Sequence, residues 1–390
     1  MGVIVELRDP MGDLQEKIKV HRRRIRRKGI LTILTILAAV ISTFLLIEVQ
    51  TYGQTRVMQE YGSGGNNGGS YVQFSTGVLK YSRDGIAFLN KKGEEQWNQP
   101  YQIKNPLVHV AGNSAATADR GGNDIYVFDK KGLRGEIHTN YPIEQFAISE
   151  NGIVSVLLKN ESTPQVVCYD AAGNVLVEHR TSLSGQGYPI GMSLSPNGTI
   201  LQISYLCVAD GVEATRVAYY DFANTDEEYG VPVAEEIYKN QVIPVSFFAN
   251  NKTSVLIGDG VFLIYRGTNQ PELSKTVEIE KEIKSVFYDK EYIGFILQNV
   301  GTEGYELRLY NMSGNLALSR DFEGEYSNIK VSNGNVIMYD GKKSLIYSEL
   351  GVKKFEGEMD KEIMEILPLQ GINKYLVMNA DGIEEIRLVK

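Results

Sequence analysis

Cysteine, histidine and tryptophan are scarce in this chain of 390 residues, at two, four and one. Two cysteines exclude a disulfide framework. Four histidines, with no H-x-x-x-H or C-x-x-C spacing, exclude a classical zinc module. A single tryptophan, Trp97, excludes the tryptophan docking repeat of quinone-dependent dehydrogenase propellers, and no c-type haem motif is present. Positive charge is short overall: the net charge is −8, which argues against nucleic acid as a partner. Long apolar runs are absent apart from one, so a multi-span membrane protein is excluded. No G-x-S-x-G occurs. Ser327-Asn328-Ile329-Lys330 matches S-x-x-K alone, in a predicted strand and without companion motifs. Gly62-Ser63-Gly64 neither follows a predicted strand nor opens a helix, so it is no nucleotide fingerprint. No catalytic residue, cofactor site or metal site is expected, and the chain does not read as an enzyme.

The one apolar run has a distinctive neighbour. Residues 17–28 read KIKVHRRRIRRK, and residues 29–47 follow with nineteen uncharged positions, GILTILTILAAVISTFLLI. As a helix these nineteen would cover roughly 28 Å, close to a hydrocarbon core. A signal peptide would have a shorter apolar core and a small-residue cleavage site, which Ile47-Glu48-Val49-Gln50 does not offer. The reading is an uncleaved transmembrane helix over 29–49. By the positive-inside rule, residues 1–28 form a cytoplasmic basic tail and the rest lies outside. The basic run is then the topology determinant, with lipid headgroup contact as a by-product. Residues 61–70, YGSGGNNGGS, read as a flexible tether within a linker over 50–70.

From residue 71 onward, short runs rich in Val, Ile, Tyr and Phe alternate with Gly, Asn and Asp, the pattern of strands and turns. One unit repeats: an apolar strand, a polar residue, two variable residues and Gly. It is clearest at Asn90–Gly93, Asp129–Gly132, Asp170–Gly173 and Asn311–Gly314, with weaker copies at Asp221, Arg266, Ser348 and Arg387. The mean spacing of about 42 residues suits a four-stranded propeller blade. Asn-Gly turns (Asn151, Asn197 and Asn333) precede the second strands, and Asp-Gly turns precede the third. Residues 141–180 show a whole unit, with strands expected at 143–149, 152–158, 165–169 and 174–178.

A meander of this kind cannot bury both faces alone, and a ring of neighbours solves that. The fold expected is all-β: an eight-bladed β-propeller over 71–390 following one N-terminal transmembrane helix. Seven blades are the alternative if a terminal unit is only a closing partial. The last unit ends after its third strand, and a strand near residues 71–74 is expected to complete it. The Asp-Gly aspartates Asp84, Asp210, Asp259, Asp340 and Asp381 should lie on one rim and are the candidate interaction residues. They could also suggest calcium, but no loop carries the six to eight oxygens that calcium needs, so turn geometry is the reading. His109, His138 and His179 fall in different units and read as surface or packing residues. Cys168 and Cys207 fall on strands of adjacent units; a disulfide and two small buried hydrophobes both stay open.

The segments SRDGIAFLNKKGEEQW (82–97), YPIEQFAISENGIVSVLL (141–158) and GYPIGMSLSPNGTILQISYL (187–206) resemble the bacterial domain of unknown function 5711 family. The resemblance implies a short cytoplasmic tail, one span and an extracytoplasmic propeller-like domain, mostly in Gram-positive anaerobes. It implies no catalytic residue. The stretch after Tyr220 departs from the pattern. On this reading the chain is a membrane-anchored protein-interaction scaffold of the cell envelope, with envelope proteins as partners. The alternative is an extracytoplasmic ligand-binding or sensory receptor, and a cell-wall glycan enzyme ranks behind both.

Overall fold

The computed structural model describes residues 10–62, 69–160, 163–180, 185–222, 231–301, 303–371 and 373–390. The chain forms two compact units, Met1–Thr51 and Tyr52–Lys390.

The first unit is one helix, Pro10–Glu48. Ile30, Leu31, Ile33, Leu34, Ile36, Leu37 and Val40 are each more than half exposed. The threonine hydroxyls turn back onto the helix: Thr32 donates to the Lys28 carbonyl at 2.9 Å and Thr43 to that of Ala39 at 2.8 Å. Among the described residues no helix is long and apolar enough to cross a membrane. Within the expected span 29–49, the side chains at 41 and 44–48 lie outside the described residues.

The second unit is an eight-bladed β-propeller. Among the described residues, 32 strands fall into eight four-stranded antiparallel sheets. Blades 1 to 7 are continuous, at 70–100, 106–138, 143–180, 188–239, 245–278, 283–322 and 328–358. In each, strands a to d run outward in chain order. Blade 8 takes three strands from 365–389 and its outermost from the N-terminal side, Gln54–Gly62, which pairs antiparallel with Gly382–Val389. Blade 3 has strands Ile143–Ile148, Val154–Leu158, Gln165–Tyr169 and Val175–Arg180, within two residues of those expected at each end.

The closing strand corrects two expectations. Residues 50–70 are not a linker throughout, because Gln54–Gly62 is a strand. Ser70–Phe74 does not close the ring but is strand a of blade 1, paired with Gly77–Tyr81. The Gly/Ser-rich stretch therefore follows the closing strand and precedes blade 1 in the chain, and its residues 63–68 lie outside the described residues. Gln54–Gly62 carries no strand signature in its side chains. As the outermost strand it is exposed on both faces except at Thr55 and Tyr61, so it shows no apolar alternation.

The repeated polar residue has a local cause. It stands at the c–d turn, where its side-chain oxygen accepts hydrogen bonds from the turn's own backbone. Asn90 Oδ1 accepts from the amides of Lys92 (2.8 Å) and Glu94 (3.1 Å), and Asp170 Oδ1 from Ala172 and Asn174 (both 2.9 Å). The closing Gly173 has φ +89°, a conformation that glycine adopts without steric cost. A register shift one residue earlier recurs in the c–d pairing of six blades.

Burial is distributed between blades. Among the described residues there are eight apolar clusters, and each is shared by two neighbouring blades. Ile125 and Val127 of blade 2 pack with Phe146 and Val156 of blade 3. Tyr71 and Val78 of blade 1 pack with Leu376 and Met378 of blade 8, which closes the ring. Each such aliphatic side chain contributes about 1.5–3 kcal/mol when fully buried.

Candidate functional site

Asp84, Asp210, Asp259, Asp340 and Asp381 all stand in or at the turn between strands b and c, in blades 1, 4, 5, 7 and 8. The meander puts these turns at the same end of their blades. Three of the carboxylates tie their own blade to the connector that leads into it. Asp259 accepts the amide of Val242 at 3.2 Å, Asp340 accepts the Ser327 hydroxyl at 2.6 Å, and Asp381 pairs with Lys361 at 3.2 Å. Asp119 of blade 2, outside the expected set, accepts the amide of Asn105 at 3.0 Å in the same way. Asp210 pairs with Lys239 of strand d at 2.6 Å. In blade 1 the Asp84 carbonyl accepts the amide of Tyr101. The five expected aspartates belong to five separate blades, and each makes its contact locally.

The innermost strands surround a central channel, and its end at the a–b turns, opposite the b–c turns, holds a cavity of about 340 Å³. Its walls come from the innermost strands and a–b turns of five consecutive blades, 2 to 6. His109, Met192, Phe247, Phe248 and Tyr288 line it, with Glu150 and Lys290 among the turn residues. Phe247 and Tyr288 stack face to face, with centroids 3.9 Å apart and planes 4° from parallel. The His109 ring lies 4.5 Å from that of Phe146. His109 is reachable from the channel yet surrounded by protein, and this desolvation holds its pKa below the usual histidine value. Burial likewise raises the Tyr288 phenol. Lys290 of blade 6 donates to Glu150 of blade 3.

Blades 7 and 8 differ. Lys330 and Glu365, both on innermost strands, form an ion pair, and the Tyr339 hydroxyl donates to Glu365 at 3.3 Å. Desolvation lowers the Lys330 pKa despite the opposing pull of Glu365. In the S-x-x-K match, Ser327 donates to Asp340 while Lys330 pairs with Glu365, so the two serve different partners.

The other chemical candidates are dispersed. Among the described residues no group of three or more His, Cys, Asp or Glu side chains could hold a metal ion. His138 is exposed and 2.8 Å from Asp124. The His179 side chain lies outside the described residues. Cys168 and Cys207 are both free: Cys168 is buried, and Cys207 is half-buried on strand b of blade 4. Burial pushes the Cys168 thiol up to about 12 against a hydrogen bond to Ser155.

Of the cavity residues, sequence reading had singled out only His109, as a packing residue. Glu150 and Lys290 each occupy an a–b turn, so aligning those turns along the repeat would have flagged them. Phe247 and Tyr288 carry no such signal, because aromatics fill the blades as well.

Ring, channel and turns define the class: an eight-bladed β-propeller of four-stranded blades. The chain belongs to the family of unknown function DUF5711, whose profile spans residues 48–388. No curated protein sequence matches it. Among solved structures it is similar to Sqt1 of Saccharomyces cerevisiae, at 10% identity and a TM-score of 0.54, covering 88% of this chain and 99% of that one. BamB from Moraxella catarrhalis aligns at 13% identity and a TM-score of 0.49, over 86% of this chain and 98% of that one. A eukaryotic initiation factor aligns at 12% and 0.49, over 75% and 79%. At these identities the likeness concerns the fold alone.

Proposed function

We propose that the protein is a membrane-anchored interaction scaffold of the cell envelope, with its propeller outside the cytoplasm. The observation that carries the scaffold role is the hairpin of blade 4. Its strands b and c, Ile200–Ala209 and Val212–Asp221, have ten residues each, against five to eight for strands b and c of the other blades. Residues 206–213 leave the packed part of the blade, and Val208 is 77% exposed, with Val212 exposed beside it. Apolar side chains on a rigid projection suit a protein partner. The anchor reading rests on the uncharged run 29–47 behind eight basic residues in twelve, and on threonines whose hydroxyls are satisfied within the helix.

Two measurements test this. Photo-crosslinkers at Val208 and Val212, in the native envelope, should capture one reproducible protein. Probes at the a–b turns should not capture it. Cys207 provides a topology reporter. A membrane-impermeant maleimide should label it on intact cells, and labelling only after permeabilisation overturns the extracytoplasmic placement.

A further inference from the structure

The interaction reading makes no use of the cavity at the a–b end of the channel, yet that cavity has the make-up of a small-molecule site. It is concave, largely apolar and walled by aromatics, with a few convergent polar groups. Phe248 and the Phe247–Tyr288 stack supply flat surface, and Met192 adds an adaptable one. His109 and Tyr288 come from blades 2 and 6. Among the described residues neither the His109 imidazole nor the Tyr288 hydroxyl has a polar protein partner. Ser246, on the same wall, has a buried hydroxyl that is also without one. His109 and Tyr288 are exposed to the channel and open to a ligand, whereas the buried Ser246 hydroxyl is the one that calls for an explanation.

The charges around the cavity narrow the chemistry. Glu150 is already paired with Lys290. Asp289 accepts the amides of Glu291 (2.7 Å) and Tyr292 (2.8 Å) in its own turn. An anion would meet both carboxylates, and a cation would meet Lys290, with Glu150 paired and only Oδ2 of Asp289 open to it. The open groups are neutral at neutral pH: a desolvated imidazole and a phenol, each able to donate and to accept. Paired donor–acceptor groups match hydroxyls, which are donor and acceptor in one. Flat aromatic faces match the C–H face of a saturated ring.

We propose that this cavity binds a small uncharged polyhydroxylated ring, a mono- or disaccharide. His109 and Tyr288 hydrogen-bond its hydroxyls, and Phe247 and Phe248 carry its apolar face. The Glu150–Lys290 pair joins the turns of blades 3 and 6 beside the cavity, so the ligand passes a mouth that one exposed ion pair constrains.

The test uses the full chain in a sugar-free detergent, with glucose, maltose, N-acetylglucosamine and its β-1,4-linked dimer as probes. Saturation-transfer NMR and calorimetry should detect at least one of them at millimolar affinity or better. H109Q and Y288F, checked for unchanged thermal unfolding, should each weaken that binding at least about fivefold, as expected when a hydrogen bond of about 1 kcal/mol is lost. A readout without variants is available, because the chain has four histidines. In ring-labelled protein, one histidine resonance, assigned to His109, should move on sugar addition. The proposal is overturned if no neutral probe binds, if both variants bind as wild type, if the His109 resonance stays fixed at saturation, or if glucosamine or glucuronate binds more tightly than the neutral probes.

Discussion

Lys290 and Glu150 stand 140 residues apart in the chain and form an ion pair between the a–b turns of blades 6 and 3. Blades 4 and 5 lie between them in the ring, so this contact spans three interblade steps. Both side chains are substantially exposed, so the pair contributes little to stability. Its effect falls on access. E150Q should change the unfolding free energy by less than about 1 kcal/mol. It should also speed nitration of Tyr288, read by mass spectrometry. Raised salt should bring the wild type toward the variant. Equal Tyr288 reactivity in the two proteins at low and high salt would count against the pair as a constraint on the mouth.

Glu306 of blade 6 anchors a buried network. It accepts Arg308 at 2.6 and 2.9 Å, Lys281 at 2.7 Å and Ser319 at 2.7 Å. Burial alone would raise its pKa, but these partners outweigh it and hold the carboxyl at about 2, below its ordinary 4.5. A depressed carboxylate stabilises the fold above its unfolded value, and that stability is lost as pH falls from 4.5 toward 2. E306Q should cost about 3 kcal/mol at neutral pH, because it leaves Arg308 and Lys281 without their countercharge. Its urea midpoint should then fall less than the wild type's across the acid range. Parallel curves for the two proteins would show that Glu306 is not the titrating group.

The boundary of the folded ring is testable by truncation. A chain beginning at residue 50 keeps the closing strand, and one beginning at residue 70 leaves Gly382–Val389 as a bare edge. The shorter chain also loses Tyr61, which packs against the cluster between blades 8 and 1, and the Tyr52 amide bond to the Lys354 carbonyl. It should aggregate in size-exclusion chromatography or unfold more than about 5 °C lower. Identical behaviour of the two chains would mean that the ring closes without Gln54–Gly62.

The two thiols should separate cleanly in a disulfide-exchange assay. Cys207 is half-exposed on the projecting hairpin, whereas Cys168 is buried and its thiol raised to about 12. The native protein should react with one equivalent of a thiol reagent, and the denatured protein with two. No reaction in the denatured state would reveal a bridge between them.

Much of the architecture was written into single residues. Asn90, Asp170 and Asn311 mark their turns because each caps its own backbone, a purely local arrangement that spacing alone exposes. The eightfold repeat follows from such markers, since every blade must bury its faces on the next. The Asp-Gly turns were legible for the same reason. That Asp259, Asp340 and Asp381 clamp the incoming connectors was not, because their partners Val242, Ser327 and Lys361 lie 13 to 20 residues away along the chain, in connectors without a pattern.

The rest was decided by the ring itself. Gln54–Gly62 is a strand only because Gly382–Val389 offers it a ladder, and with both faces wet its own side chains carry no period. The meeting of Glu150 with Lys290, and the gathering of His109, Phe247 and Tyr288 around one cavity, depend on closure across blades. Sequence by itself determined the turns and the repeat of about 42 residues, both products of short-range backbone chemistry. Tertiary structure alone decided which strand closes the circle and what the circle encloses, because both depend on residues that only ring closure brings within reach.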